Sequence, residues 1–125
     1  MLDSVSVSTF TYPVRVGNPR ESQAPIEVKC LVDTGAMFTC LPGPELESLG
    51  LSPGWRVPIK LADGRQEEWA ATEILMTIGE RTLHTTCLFG PPDGLPLLGA
   101  VSLEQFALPV DPLARTLLPT RVPMA

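Results

Sequence analysis

Alternation between apolar and polar side chains predicts that most of this chain forms short β-strands. Residues 4–16 alternate in this way on both sides of Pro13, as expected for a half-buried strand that continues past the proline. Turn segments rich in glycine and proline separate the later apolar runs. Further strands are predicted at residues 26–32, 38–41, 55–61, 66–78, 81–89, 95–98, 108–110 and 116–118. The pattern therefore predicts an all-β fold.

Two short helical segments interrupt the predicted strands. The first spans residues 45–49, with Pro44 at the first position and Gly50 at the C-cap. The second spans residues 102–106, with Ser102 as the candidate N-cap residue. Two large apolar side chains of the second segment are expected to face inward, those of Leu103 and Phe106.

The composition fits one globular domain that covers residues 1–125. Of its residues, 44% are hydrophobic and 18% are charged, which allows the chain to bury a core of its own. The 14 prolines and 10 glycines lie between apolar runs, so they predict frequent turns in a closed or folded-over β structure. The wholly apolar run 95–98 is expected in the interior. Residues 119–125 are expected to form a loose tail or part of an interface.

The charge and the cysteine content limit which classes of binding partner and which cellular compartment we expect. The formal net charge is −5 and basic residues occur singly, which argues against nucleic acid or an anionic membrane as a partner. Cys30, Cys40 and Cys87 have no metal-ligand spacing, so we expect buried thiols in a reducing compartment. We expect no signal peptide, and no apolar run reaches the roughly 18 residues of a membrane span. These features predict a cytoplasmic protein.

The chemistry of the chain concentrates at one carboxylate. The apolar run 26–32 leads into Asp33, and Thr34 and Gly35 turn the chain immediately afterwards. A lone carboxylate is costly to bury beside apolar neighbours, so its charge or its proton must be shared. The simpler interpretation is an aspartate whose side chain caps backbone amides in its own turn.

Two segments, Asp33-Thr34-Gly35-Ala36 and Leu97-Leu98-Gly99, together resemble the retropepsin-like aspartic proteases. The resemblance spans residues 5–119, and both segments stand in the family's order and separation. It implies a closed β-barrel of the retropepsin type, with a short helix after the second segment. It also implies that Asp33 is catalytic and that neighbouring residues support the active site, namely Thr34, Gly35, Ala36, Leu98 and Gly99.

Catalysis by Asp33 would require a second carboxylate. Peptide hydrolysis by acids needs one general base that activates a water and one protonated acid that polarises the scissile carbonyl. The chain contains one Asp-Thr-Gly, since Asp63-Gly64 and Asp93-Gly94 lack the Thr or Ser and lie in turns. The second Asp33 must then come from another subunit across a two-fold axis. A homodimer is thus a requirement of this hypothesis, whereas no cofactor or metal is needed.

A hairpin between the two segments would cover the substrate. Ala62-Asp63-Gly64-Arg65 has the composition of an Asp-Gly hairpin turn. The family carries its flap at this place in the chain, so the resemblance implies that these residues exclude water and hold the backbone of an extended peptide. Viral members usually carry an acid and an arginine where this chain has Met37 and Ala100.

The sequence therefore predicts a homodimeric aspartic endopeptidase that acts on peptide or protein substrates. The alternative is a non-proteolytic peptide-binding or dimerisation module with the same fold, in which Asp33 would be dispensable. A cysteine protease is disfavoured because the one histidine, His84, is distant from the cysteines that flank Asp33. We expect His84 to be exposed, and Trp55 and Trp69 to pack near the base of the hairpin.

Overall fold

The computed structural model describes residues 10–21, 23–108, 110–111 and 116–117, which form nine strands and two short helices. Residues 4–9 of the first predicted strand and the predicted tail 119–125 lie outside the described residues. Within the described part, no helix is long and apolar enough to cross a membrane. In chain order the elements are β1 (Thr11–Gly17), β2 (Ile26–Val32), β3 (Thr39–Pro42), α1 (Gly43–Ser48), β4 (Trp55–Lys60), β5 (Gln66–Ile78), β6 (Arg81–Gly90), β7 (Leu97–Leu98), α2 (Ala100–Gln105), β8 (Val110–Asp111) and β9 (Thr116–Leu117). The all-β prediction is confirmed.

Six of these strands close into a ring of backbone pairings. The order around the ring is β1, β2, β7, β3, β6 and β5, and β5 returns to β1 through an antiparallel pairing of Leu75–Thr77 with Arg15–Gly17. The contacts β2–β7 and β3–β6 are parallel, and the others are antiparallel. β4 extends the sheet beyond the ring by pairing with β5, and β8 pairs with β9. Because β7 lies parallel to β2, both strands end at the same edge of the sheet.

The apolar side chains form two clusters rather than one. The larger cluster fills the ring and takes its residues from all six strands of the ring and from both helices. The smaller cluster is built on Cys40, Ala71 and Leu88, and it lies beneath the β4–β5 hairpin. Five partly buried side chains pack against the smaller cluster, namely Phe38, Val57, Ile59, Trp69 and Leu97.

All three cysteines are buried free thiols, as predicted. Burial raises the pKa of Cys30 to about 12 and the pKa of Cys40 to about 11. Burial also raises the pKa of Cys87 well above its ordinary value. These thiols therefore behave as small apolar core groups at neutral pH.

The first helix begins earlier than predicted and ends one residue before its predicted end, at Ser48. α1 starts at Gly43, so Pro44 occupies its second position instead of its first. Both positions suit proline, because the N–H groups of the first turn have no partner within the helix. At the other end, Gly50 has φ +80°, and the N–H of Leu51 donates to the carbonyl oxygen of Leu46 at 3.1 Å. Gly50 thus stops the helix as predicted, but it lies one position after the C-cap residue, which is Leu49.

The second helix begins two residues before its predicted start. α2 starts at Ala100 with Gly99 as its N-cap, so the prediction of an N-cap at Ser102 is wrong. Ser102 lies inside the helix and is fully buried, where its hydroxyl hydrogen-bonds to Thr39 and Thr85. These tertiary partners outweigh the local preference of serine for helix ends. The predicted inward-facing side chains are confirmed as buried, namely Leu103 and Phe106.

One apolar run is less buried than predicted. β7 begins at Leu97, and Leu95 is 69% exposed, so its expected interior position is wrong. A continuous apolar run lacks the alternation that would show which side chains point inward. Trp55 is also exposed, whereas Trp69 is half-buried against the smaller cluster. The exposed position of His84 is confirmed; its Nδ1 lies 3.1 Å from a carboxylate oxygen of Glu73.

Candidate active site

Asp33 lies immediately after β2, beside the end of β7. In the parallel pairing of the two strands, Val32 is opposite Leu98. The N–H of Asp33 donates a hydrogen bond to the carbonyl oxygen of Leu98 at 3.0 Å. Leu98 itself is fully buried in the larger cluster. The structure therefore brings together the two sequence segments that carried the resemblance.

The turn after Asp33 is closed by its own hydrogen bonds. The N–H of Gly35 donates to Oδ1 of Asp33 at 3.0 Å, and the N–H of Ala36 donates to the carbonyl oxygen of Asp33 at 3.1 Å. A Cβ atom at Gly35 would lie only 3.2 Å from Oδ1, so glycine leaves room for the carboxylate. Asp33 is half-buried, whereas Thr34 and Gly35 are exposed. The local capping expected of a turn aspartate thus coexists with a carboxylate held at the surface.

Backbone hydrogen bonds join the start of α2 to the segment after this turn. The N–H of Ala100 donates to the carbonyl oxygen of Ala36 at 2.8 Å, and the N–H of Val101 donates to that of Met37 at 2.9 Å. These bonds satisfy two of the N–H groups that a helix start leaves without internal partners. The start of α2 is therefore joined through the backbone to Ala36 and Met37, directly after the Asp33 turn.

A groove of about 550 Å³ runs from the Asp33 turn to the β4–β5 hairpin. Its floor is formed by the smaller apolar cluster, including Phe38, Cys40 and Trp69. Among the described residues that line it, Asp33 is the one carboxylate and Lys60 is the one basic residue. In the same part of the chain, no group of three or more His, Cys, Asp or Glu side chains could hold a metal ion. The site is therefore an apolar groove with the carboxylate of Asp33 at its edge.

The residues predicted to form the flap occupy the tip of the hairpin. Ala62 lines the groove, while Asp63, Gly64 and Arg65 are exposed at the turn. Gly64 has φ +92°, and the N–H of Leu61 donates to the carbonyl oxygen of Arg65 at 2.8 Å. The backbone N–H and the side-chain Nε of Arg65 both donate to the carboxylate of Asp63. These bonds lower the pKa of Asp63, and the bond from the backbone N–H has the larger effect. The tip is thus a turn closed by its own contacts.

Several groove residues were not among the site residues predicted from the sequence. Met37 is 65% exposed and lines the groove next to the Asp33 turn. Trp69 also lines the groove, and its Nε1 donates to Glu67 at 2.9 Å, while Nη1 of Arg65 contacts the same carboxylate at 3.3 Å. This links the groove floor to the hairpin tip. The alternation in β4 and β5 predicted which side chains point inward, but it does not show that a groove lies between them and Asp33.

Solved structures of aspartic proteases share this fold. The EIAV protease, solved in complex with the inhibitor HBY-793, matches with a TM-score of 0.58 and 20% identity, over 86% of this chain and 95% of the protease. A retropepsin-like aspartic protease from Rickettsia conorii matches with a TM-score of 0.58 and 20% identity, over 81% of this chain and 76% of that one.

A viral protease solved in solution extends this comparison. The Simian Foamy Virus (mac) protease matches with a TM-score of 0.52 and 20% identity, over 77% of this chain and 96% of the protease. No protein-family model matches the sequence, and no curated protein sequence matches it significantly. The likeness therefore lies in the fold, and the chain has the retropepsin-like fold predicted from its two segments.

Proposed function

We propose that this protein is an aspartic endopeptidase whose catalytic pair consists of Asp33 from each of two copies of the chain. The observation that carries the proposal is the position of Asp33, the one carboxylate among the described residues lining a groove beneath a hairpin. The likeness of the fold to aspartic proteases supports it. One acid in the groove is half of what carboxylate-catalysed hydrolysis needs.

A two-fold dimer would supply the missing acid. Two carboxyl groups within a few ångströms share one proton, because both cannot be ionised there. The ionised carboxylate would take a proton from water, and the protonated one would donate a hydrogen bond to the scissile carbonyl. The exposed Thr34 and Gly35 are available to contact a second copy, and the Thr34 hydroxyl can donate across the axis. Ala36, Leu98 and Gly99 would support the turn from behind.

The substrate would be an extended peptide or protein segment in the groove. Its backbone would add as a strand against the hairpin, while its side chains pack on the apolar floor. Residues 62–65 would cover the bound peptide and exclude water from the catalytic pair. Three buried free thiols agree with a reducing compartment, so we place the enzyme in the cytoplasm.

Digestion of a diverse peptide library between pH 4 and 7, read by mass spectrometry, tests this proposal. We expect Asp33→Asn to lower cleavage at least about a thousandfold, because it removes a catalytic group. The matched control is Asp93→Asn, the same change at an exposed turn outside the groove. Equal cleavage by wild type and Asp33→Asn would refute the proposal. Absence of cleavage by a dimeric wild type would favour the alternative, a peptide-binding or dimerisation module.

A further inference from the structure

One peptide unit connects Asp33 to the interior of the protein. The carbonyl oxygen of Leu98 accepts the N–H of Asp33 at 3.0 Å, and the N–H of Gly99 donates to Oγ1 of Thr39 at 3.2 Å. The carbonyl and the N–H belong to the same planar amide between Leu98 and Gly99. Because this amide is rigid, the partner at one end constrains the orientation of the other end. The hydroxyl of Thr39 therefore helps to determine where Asp33 is held.

Thr39 is the first member of a buried chain of hydroxyl groups. Its Oγ1 lies 2.6 Å from Oγ of Ser102, which lies 2.8 Å from Oγ1 of Thr85. The exposed fractions of these three side chains are 0%, 0% and 3%, in that order. The Thr85 hydroxyl in turn donates to Oε1 of Gln105 at 2.6 Å. The chain thus joins β3, α2 and β6 behind the candidate site.

The bond to Gln105 determines which group donates in every hydrogen bond of this chain of hydroxyl groups. Thr85 uses its single proton on Gln105, so the bond between Ser102 and Thr85 must be donated by Ser102. Ser102 then has no proton left for Thr39, so Thr39 must donate to Ser102. Oγ1 of Thr39 is left as the acceptor for Gly99. The amide of Gln105 is oriented because its Nε2 donates to the carbonyl oxygen of His84 at 3.2 Å.

Close packing holds the backbone of Gly99 against the residues that lead into β3. A Cβ atom at Gly99 would lie 2.5 Å from the carbonyl oxygen of Phe38 and 2.8 Å from the backbone nitrogen of Thr39. The backbone of Gly99 therefore lies directly against the segment that carries the Thr39 hydroxyl. Loss of that hydroxyl would leave the Gly99 N–H buried without an acceptor, which the amide can relieve only by rotating.

We propose that Thr39 is a positioning residue for Asp33, acting through the Leu98–Gly99 peptide and supported by Ser102 and Thr85. As a statement about catalysis it rests on the proposed protease function. Its structural part concerns the Asp33 amide alone and can be measured without a substrate. A purely structural role for the hydroxyl chain would instead lower the stability of the whole domain and leave the folded protein's Asp33 turn unchanged.

Amide hydrogen exchange, together with kcat and KM, tests this inference on Thr39→Val and Thr39→Ser. Valine keeps the branched shape without the hydroxyl, and serine keeps the hydroxyl. In Thr39→Val we expect the Asp33 amide to exchange about tenfold faster, while the Leu51 amide, which donates to Leu46 of α1, is unchanged. We expect kcat to fall about tenfold with KM within about twofold, and Thr39→Ser to restore both quantities.

Each outcome decides the inference. Wild-type exchange at Asp33 in folded Thr39→Val would overturn it, and so would an equal acceleration at Asp33 and Leu51. If Thr39→Val does not fold, Thr39→Ala takes its place, since it also removes the hydroxyl that accepts the Gly99 N–H and adds no atom to the packed interior. Faster exchange confined to Asp33 would then support the inference, and an unchanged rate would overturn it. An inactive wild type would refute the protease proposal, while the exchange data would still decide the role of Thr39.

Discussion

Replacing Gly99 by alanine should destabilise the fold and the candidate site together. The added Cβ would lie 2.5 Å from the carbonyl oxygen of Phe38 and 2.8 Å from the nitrogen of Thr39, whereas ordinary contacts begin at 3.4 Å. The backbone must therefore separate by about 0.9 Å at a place where the interior is close-packed. No rotamer change can relieve the contact, because both atoms belong to the backbone leading into β3.

The expected loss can be estimated from two opposing effects. Overpacking of a close-packed interior typically costs about 1–3 kcal/mol, and we expect the upper end because β3 is paired on both sides, with β6 and β7. The lower entropy of the unfolded alanine chain offsets about 0.4–1 kcal/mol of that cost. The free energy of unfolding of Gly99→Ala should therefore be at least about 2 kcal/mol lower than that of the wild type.

Urea unfolding at one fixed protein concentration, followed by tryptophan fluorescence, measures this loss. The matched control is Gly54→Ala, whose added Cβ would lie 3.7 Å from the carbonyl oxygen of Ala71, an ordinary contact. We expect that control to stay within about 0.5 kcal/mol of the wild type. A Gly99→Ala variant as stable as the control, with an unchanged denaturant slope, would refute the reasoning from close packing.

Two further predictions concern pH. Burial raises the pKa of Cys30 to about 12 from an ordinary 9.0, so the unfolded state loses its proton first. Above pH 9, this thiol should lower the free energy of unfolding by up to about 1.4 kcal/mol per pH unit. In urea titrations at several pH values, Cys30→Ala should reduce that decline. Equal pH slopes for the wild type and the variant would contradict this. Hydrogen bonds from Arg65 lower the pKa of Asp63 below 3.8. The contribution of the ionised Asp63 to the free energy of unfolding is therefore present above pH 3.8 and lost as the pH falls further. In a carboxyl NMR titration, Arg65→Gln should raise the Asp63 midpoint, and an unchanged midpoint would contradict the assignment.

Sequence patterns predicted the elements whose signal is local. β2 and β5 begin and end at their predicted residues. Side-chain alternation and flanking turn residues are local signals that indicate where a strand begins and ends. Gly50 and the Gly64 turn followed from glycine's tolerance of positive φ, which both residues show. The Asp33 turn followed from a strand that stops at a short Thr-Gly sequence.

Other features depend on residues that are far apart in the chain. Ser102 was assigned to a helix end because serine is common there, yet its partners Thr39 and Thr85 lie 63 and 17 positions away. Nothing in the neighbouring sequence distinguishes a buried hydroxyl with partners from an exposed one. Leu95 shows the same problem, since its apolar neighbours indicated burial although its own side chain is 69% exposed.

Local chemistry thus accounts for the strands, the turns and the acid that ends β2. Tertiary structure decided that β7 enters between β2 and β3, that β1 closes the ring on β5, and that a second apolar cluster forms the floor of a groove beside Asp33. The physical reason is that alternation specifies which face of a strand is buried but carries no information about its partner. Pairing between distant strands is selected by how all buried faces pack together, and the surroundings of Asp33 are a product of that packing.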